Sequence, residues 1–242
     1  MNNPSLPKRI LMIAVYYIGV QLVFSGIVLS ILLQNYQISL TDLYVLEETS
    51  AIFIDIMAKV NFYGLLIGSI VFIVLFRKDL LSQIKQSAGK WLLIIKTTGI
   101  YYVIYILLAT FYLSLVEPLL PSTSSQNQEL VAMIAKSSPM LMIIATVFLA
   151  PFIEEFVFRY ALINVENKSK FSKSLIISSL TFGFIHVYAG LQNGQFHELL
   201  FLPQYALMGY MMGLIYLKTD TLMGAIFFHI INNLIAVVAL FA

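Results

Sequence analysis

A chain of 242 residues that is 60% hydrophobic and only 11% charged, with mean hydropathy +0.90, is too apolar for a water-soluble domain, in which about a quarter of residues carry charge. The absence of cysteine excludes disulfides, thiolate nucleophiles and cysteine-ligated zinc. A formal net charge of +2 is too small to point to nucleic acid.

A membrane-spanning helix needs roughly 20 mostly apolar residues. Along the chain, stretches 10–33, 58–76, 91–116, 139–163, 174–190, 198–217 and 221–242 qualify, which predicts an all-α, polytopic transmembrane bundle of about seven helices. The first stretch is longer than the roughly 7–15 residues of a signal-peptide core and no small-residue cleavage site follows it, so it is read as a helix. Residues 51–60 look amphipathic and place Asp55 and Lys59 at i,i+4, so the second stretch either begins earlier or follows an interfacial segment. The polar stretch 121–129 reads as an external loop, and His197, beside the Asn193-Gly194 turn, as an interfacial residue. Gly209 and Gly213 form a small-xxx-small pair suited to close packing within the bundle.

Basic residues are segregated along this pattern. Lys8, Arg9, Arg77, Lys78, Lys85, Lys90, Lys168, Lys170, Lys173 and Lys218 fall on one side, ten of the fourteen Lys and Arg. The opposite side holds Asp42, Glu47, Glu48, Asp55, Glu117, Glu129 and Glu198, with only Lys59 and Lys136. Cytoplasmic loops are enriched in Lys and Arg, so the N-terminus is expected inside and the C-terminus outside.

The costliest residues in these stretches are Glu154 and Glu155, since carboxylates at membrane depth persist where function or pairing holds them. At 1.5 Å rise per residue, Glu154 lies roughly 13 Å, His229 roughly 12 Å and His186 roughly 18 Å from the inner ends of their helices. Three polar groups on three helices thus reach similar depth. Glu154 and Glu155 are about 100° apart on an α-helix, so they are expected to aim at different points, Glu155 pairing with Arg159 at i,i+4 and Glu154 left for chemistry. His229 and Asn233 share a face, as do Phe182 and His186. Pro151 is expected to kink the helix just before the glutamates.

These residues carry a resemblance. EEFVFR at 154–159, FGFIH at 182–186 and HIINN at 229–233 resemble the EExxxR, FxxxH and HxxxN motifs of the CAAX-prenyl-protease and bacteriocin-processing family (CPBP or Abi), in the same order and each on a separate helix. The resemblance covers roughly residues 85–242 as a catalytic core, with 1–84 as a variable N-terminal addition. It implies an intramembrane endopeptidase acting on a peptide or membrane-protein substrate among membrane lipids. Glu154 and His186 would activate water, His229 and Asn233 would stabilise the oxyanion, and Glu155 with Arg159 would hold the site together.

Such chemistry is reasonable for these groups alone, because peptide hydrolysis needs a base for water and donors for the developing oxyanion. Glu154, His186 and His229 are also the candidate ligands of a His₂Glu zinc site. Without an HExxH sequence, metal dependence stays open, and a metal-free glutamate-activated water is the preferred alternative. Bacterial relatives in this family point to the plasma membrane and to bacteriocin or signalling-peptide maturation or self-immunity. The second function class is a non-proteolytic immunity or regulatory membrane protein. A proton-coupled transporter is ranked lower, because no inverted repeat is apparent.

Overall fold

The computed structural model describes residues 3–47 and 50–241, so Glu48 lies outside it. The protein is an all-helical polytopic bundle. Six helices are long and apolar enough to span a membrane: α1 (Leu6–Tyr36), α3 (Ala51–Ser87), α4 (Trp91–Leu119), α6 (Pro139–Ala161), α7 (Lys173–Gln192) and α8 (Phe196–Thr219). Short α2 (Leu40–Val45), α5 (Gln126–Ser137) and the apolar α9 (Met223–Ala239) complete the order. The protein is a multi-pass membrane protein.

Two stretches take definite form in the fold. Residues 51–60 continue into α3 as one helix, and a break at Phe76 (φ −113°, ψ 21°) turns its last 11 residues, 77–87, away from the main axis. Asp79 on that turned segment is thereby brought to Lys8 and to the Tyr160 hydroxyl, 3.0 and 2.9 Å away. The 121–129 stretch is also only partly a loop, because Ser125 and Gln128 form a reciprocal capping box that starts α5.

The ends of the bundle sort the connections into two groups. At one end Asn3 bonds Asn164 (2.7 Å), Lys168 pairs with Asp220 (2.6 Å), and Gln83 accepts from the Leu222 backbone (3.0 Å). At the other end Tyr112 donates to the Leu200 carbonyl (2.8 Å) and Glu198 accepts from the Gln126 backbone at the start of α5 (2.8 Å). The loops expected on one side of the membrane therefore meet one another. Glu198, expected in an outer loop, is buried, because a carboxylate complements the unpaired N–H groups and positive dipole end of α5.

One core runs through the bundle. It joins Met12, Tyr16 and Val20 of α1, Phe72 and Phe76 of α3, Ile153 and Phe156 of α6, Phe182 of α7, Met212 of α8 and Phe228 of α9. Residues 1–84 thus share their packing with the remainder. The Gly209/Gly213 notch is filled from within: a Cβ on Gly213 would stand 2.3 Å from Leu175 Cδ1, and one on Gly209 would stand 3.2 Å from Ser179 Cα. That close approach of α7 and α8 sets the position of Phe182 and His186.

Candidate active site

The α6 helix that carries Glu154, Glu155 and Arg159 is wound unevenly. Wider π turns at Ile144–Leu149 and Phe156–Ala161 flank a regular turn at Ala150–Glu155. Pro151 explains the first, since its ring clashes with a carbonyl four residues back and has no N–H to donate, so the preceding backbone opens to i→i+5 spacing. Pro151 therefore widens the helix beside the glutamates. The second π segment carries Arg159.

Within this frame an ion pair and an imidazole form a chain. Glu155 and Arg159 have no exposed side-chain surface, and Arg159 Nε lies 2.9 Å from Glu155 Oε2. The guanidinium is enclosed further by Ser178 Oγ, which accepts from Nη1 at 3.2 Å, and by the Phe182 ring, 4.7 Å from its centre. Ser178 in turn donates to the Phe158 carbonyl at 2.5 Å. A buried guanidinium needs such enclosure, because an unpaired charge here costs several kcal/mol. On its other side Glu155 Oε1 accepts from Nδ1 of His229 at 3.0 Å. A carboxylate can only accept, so the proton sits on Nδ1 and Nε2 faces away from Glu155.

His229 Nε2 faces Glu154, whose Oε2 is 4.0 Å away. The two glutamates therefore meet the same imidazole, contrary to the expectation that they diverge. A five-membered ring presents nitrogens on two edges, so neighbouring side chains about 100° apart can each reach one. Glu154 Oε2 is buried and has no hydrogen-bond partner, while Oε1 accepts from the Tyr16 hydroxyl at 3.3 Å.

The remaining motif residues stand around this chain. His186 donates from Nδ1 to the Phe182 carbonyl at 2.8 Å, which leaves Nε2 with its lone pair, and its ring stacks on Tyr205 with centroids 4.7 Å apart. The Phe182 ring contacts both histidines, with centroids 4.5 Å from His186 and 5.6 Å from His229. The resemblance pairs Glu154 with His186, whereas the group that the structure sets against Glu154 is His229. Asn233 donates from Nδ2 to the Thr146 carbonyl at 2.8 Å, one of the backbone groups in the first π segment. It ties α9 to α6 one turn beyond His229.

The zinc candidates do not assemble. Among the described residues no three His, Asp or Glu side chains stand close enough to share a metal ion.

The sequence pattern marks Phe182, by its i,i+4 spacing to His186, but not Tyr16 or Ser178, whose contacts to Glu154 and to Arg159 come from α1 and α7. Nothing in the local pattern around Tyr16 or Ser178 marks a partner 138 or 19 residues away.

A protein-family model, "Type II CAAX prenyl endopeptidase Rce1-like", matches residues 136–235. This segment is less than half of the chain, and it contains Glu154, Glu155, Arg159, His186, His229 and Asn233. Neither a curated protein nor a solved structure gives a match. Residues 136–235, with their buried glutamate, arginine and histidine chain on α6 and α9, are thus similar to the CAAX-protease (CPBP) family.

Proposed function

We propose that the protein is an intramembrane endopeptidase that hydrolyses a peptide bond of a membrane-associated peptide or protein with a water molecule activated by Glu154. The observation that carries this reading is the pair of facing atoms, Glu154 Oε2 and His229 Nε2, buried, 4.0 Å apart and without another partner for the carboxylate oxygen. Two acceptors at that separation suit a water hydrogen-bonded to both, with each leg about 2.8 Å.

In the reaction Glu154 takes a proton from that water as its oxygen bonds to the scissile carbonyl carbon. The carbonyl oxygen becomes an oxyanion, and collapse breaks the C–N bond as the proton passes to the leaving nitrogen. Arg159 fixes Glu155, Glu155 fixes the Nδ1–H tautomer of His229, and His229 then holds the water by its Nε2 lone pair. This is a water-holding imidazole oriented by a carboxylate, arranged across two helices. His186, whose Nδ1 is held by the Phe182 carbonyl, is the second imidazole of the site, and Asn233 keeps α9 in register with α6.

The substrate classes that fit are a prenylated C-terminal peptide, as the family description names, and an unprenylated membrane-anchored precursor such as a bacteriocin or signalling peptide. A role in maturation or self-immunity at a bacterial plasma membrane rests on the resemblance. The Lys and Arg bias places the loop holding Ser169 in the cytoplasm and Ser122 outside, which cysteine labelling of this cysteine-free chain in intact cells tests directly.

The central experiment presents wild-type proteoliposomes with a farnesylated C-terminal peptide and an unprenylated transmembrane peptide, each fluorogenic. Wild type is expected to cleave one of them, and Glu154→Gln to lose at least about 10³ in turnover while folding normally. Equal cleavage by Glu154→Gln would remove the assignment.

A further inference from the structure

We infer that Tyr16, on an N-terminal helix outside the family segment, is a positioning residue for Glu154, so that the catalytic unit includes α1. This rests on the endopeptidase reading above. The Tyr16 side chain is 3% exposed, and its hydroxyl donates to Glu154 Oε1 at 3.3 Å, across 138 residues of chain. That bond occupies the oxygen not facing His229. With Oε1 held, rotation about the last side-chain torsion of Glu154 is restricted, and Oε2 stays directed at His229 Nε2. As the one hydrogen bond to Glu154 among the described residues, this hydroxyl sets the carboxylate plane.

The placement of Tyr16 is enforced on both sides along α1. Toward the N-terminus, Lys8 pairs with Asp79 of the turned end of α3 at 3.0 Å. Toward the C-terminus, α1 enters a notch at Gly64 and Gly68 of α3. A Cβ on Gly68 would stand 2.4 Å from Val20 Cγ2, and one on Gly64 would stand 2.5 Å from Ser25 Oγ. Between these anchors α1 is wound as a π-helix over Val15–Phe24, and Ser25 Oγ donates to the Val20 carbonyl at 2.8 Å. Wider turns shift the angular position of successive side chains, and π segments gather at functional sites for that reason. The Tyr16 ring is wedged edge-on against Phe158, centroids 6.1 Å apart, on the same α6 turn as Arg159. A ring wedged in this way delivers its hydroxyl to one place.

Tyr16→Phe keeps the ring and removes only the donor. With whichever of the two peptides wild type cleaves, kcat is expected to fall roughly 10- to 100-fold, the equivalent of one hydrogen bond to a charged group, with KM little changed. An infrared difference spectrum gives a readout that a merely structural role would leave alone. The carboxyl bands of Glu154, assigned by their disappearance in Glu154→Gln, are expected to move in Tyr16→Phe. Unmoved bands overturn the proposal whatever happens to the rate, and moved bands with unchanged kcat overturn the positioning role. If wild type cleaves neither peptide, the endopeptidase reading is what fails. The band shift then still decides whether Tyr16 holds Glu154.

Discussion

Two ion pairs with the same sequence spacing behave differently in this molecule. Asp55 and Lys59 on α3 meet at 2.8 Å with about a third of each side chain exposed, joined by the Tyr36 hydroxyl, to which Lys59 donates at 2.9 Å and which itself bonds Asp55. Glu155 and Arg159 on α6 meet at 2.9 Å with neither side chain exposed. The N–O distances are nearly equal, so distance does not separate them. Burial does. Solvent screens the first pair and can hydrate either partner alone, so its net contribution is small. The second has only protein around it, and each charge depends on the other and on Ser178, Phe182 and His229 for its stabilisation. The exposed pair closes the end of a helix, whereas the buried pair orients an imidazole.

Variants should widen or erase that difference. Arg159→Ala leaves the buried Glu155 without its counter-charge and held only by His229, and the expected loss is about 3–5 kcal/mol of stability together with nearly all turnover. Detergent thermal-shift measurements and the proteoliposome assay read the two effects. A protein as stable as wild type would mean that Arg159 serves substrate instead. Glu155→Gln combined with Arg159→Met removes both charges, so it should recover part of the stability lost by Arg159→Ala but none of the activity. Recovery of both would show that His229 needs no carboxylate to orient it.

Smaller effects follow. Asn233→Ala should cost about 1 kcal/mol, since it removes one bond to the Thr146 carbonyl, with a loss of turnover larger than that stability change accounts for if α9 slips relative to Glu154. Lys59→Ala should cost less than about 1 kcal/mol, shrink further at high salt, and leave cleavage unchanged. A salt-insensitive loss of several kcal/mol at Lys59 would make the two pairs equivalent after all.

Much of the architecture was legible along the chain because spanning a bilayer is a one-dimensional demand. Length and apolarity of a single stretch decide whether it crosses, so α1, α4, α6, α7 and α8 fall close to the expected boundaries. The alternation of spanning stretches likewise assigns each loop to one end of the bundle, and at one end Asn3, Asn164, Lys168 and Asp220 lie together. The Glu155–Arg159 pair was readable because i,i+4 contacts are set within one helix. The start of α5 was readable too, in the Ser125-to-Gln128 capping box, but the polar composition of 121–129 masked it.

What the linear pattern does not contain is which side of one helix faces which side of another. The sequence by itself determined the all-helical membrane class, the residues available for chemistry and the local ion pair. Tertiary structure decided that Glu154 faces His229, that Glu198 is buried as a cap for α5, and that Tyr16 reaches Glu154 from α1. Those outcomes depend on helix rotation and crossing, which the Gly64/Gly68 and Gly209/Gly213 notches and the π turns around Pro151 set through close contact between backbones. Such contacts join residues far apart in the chain, and no local period encodes them.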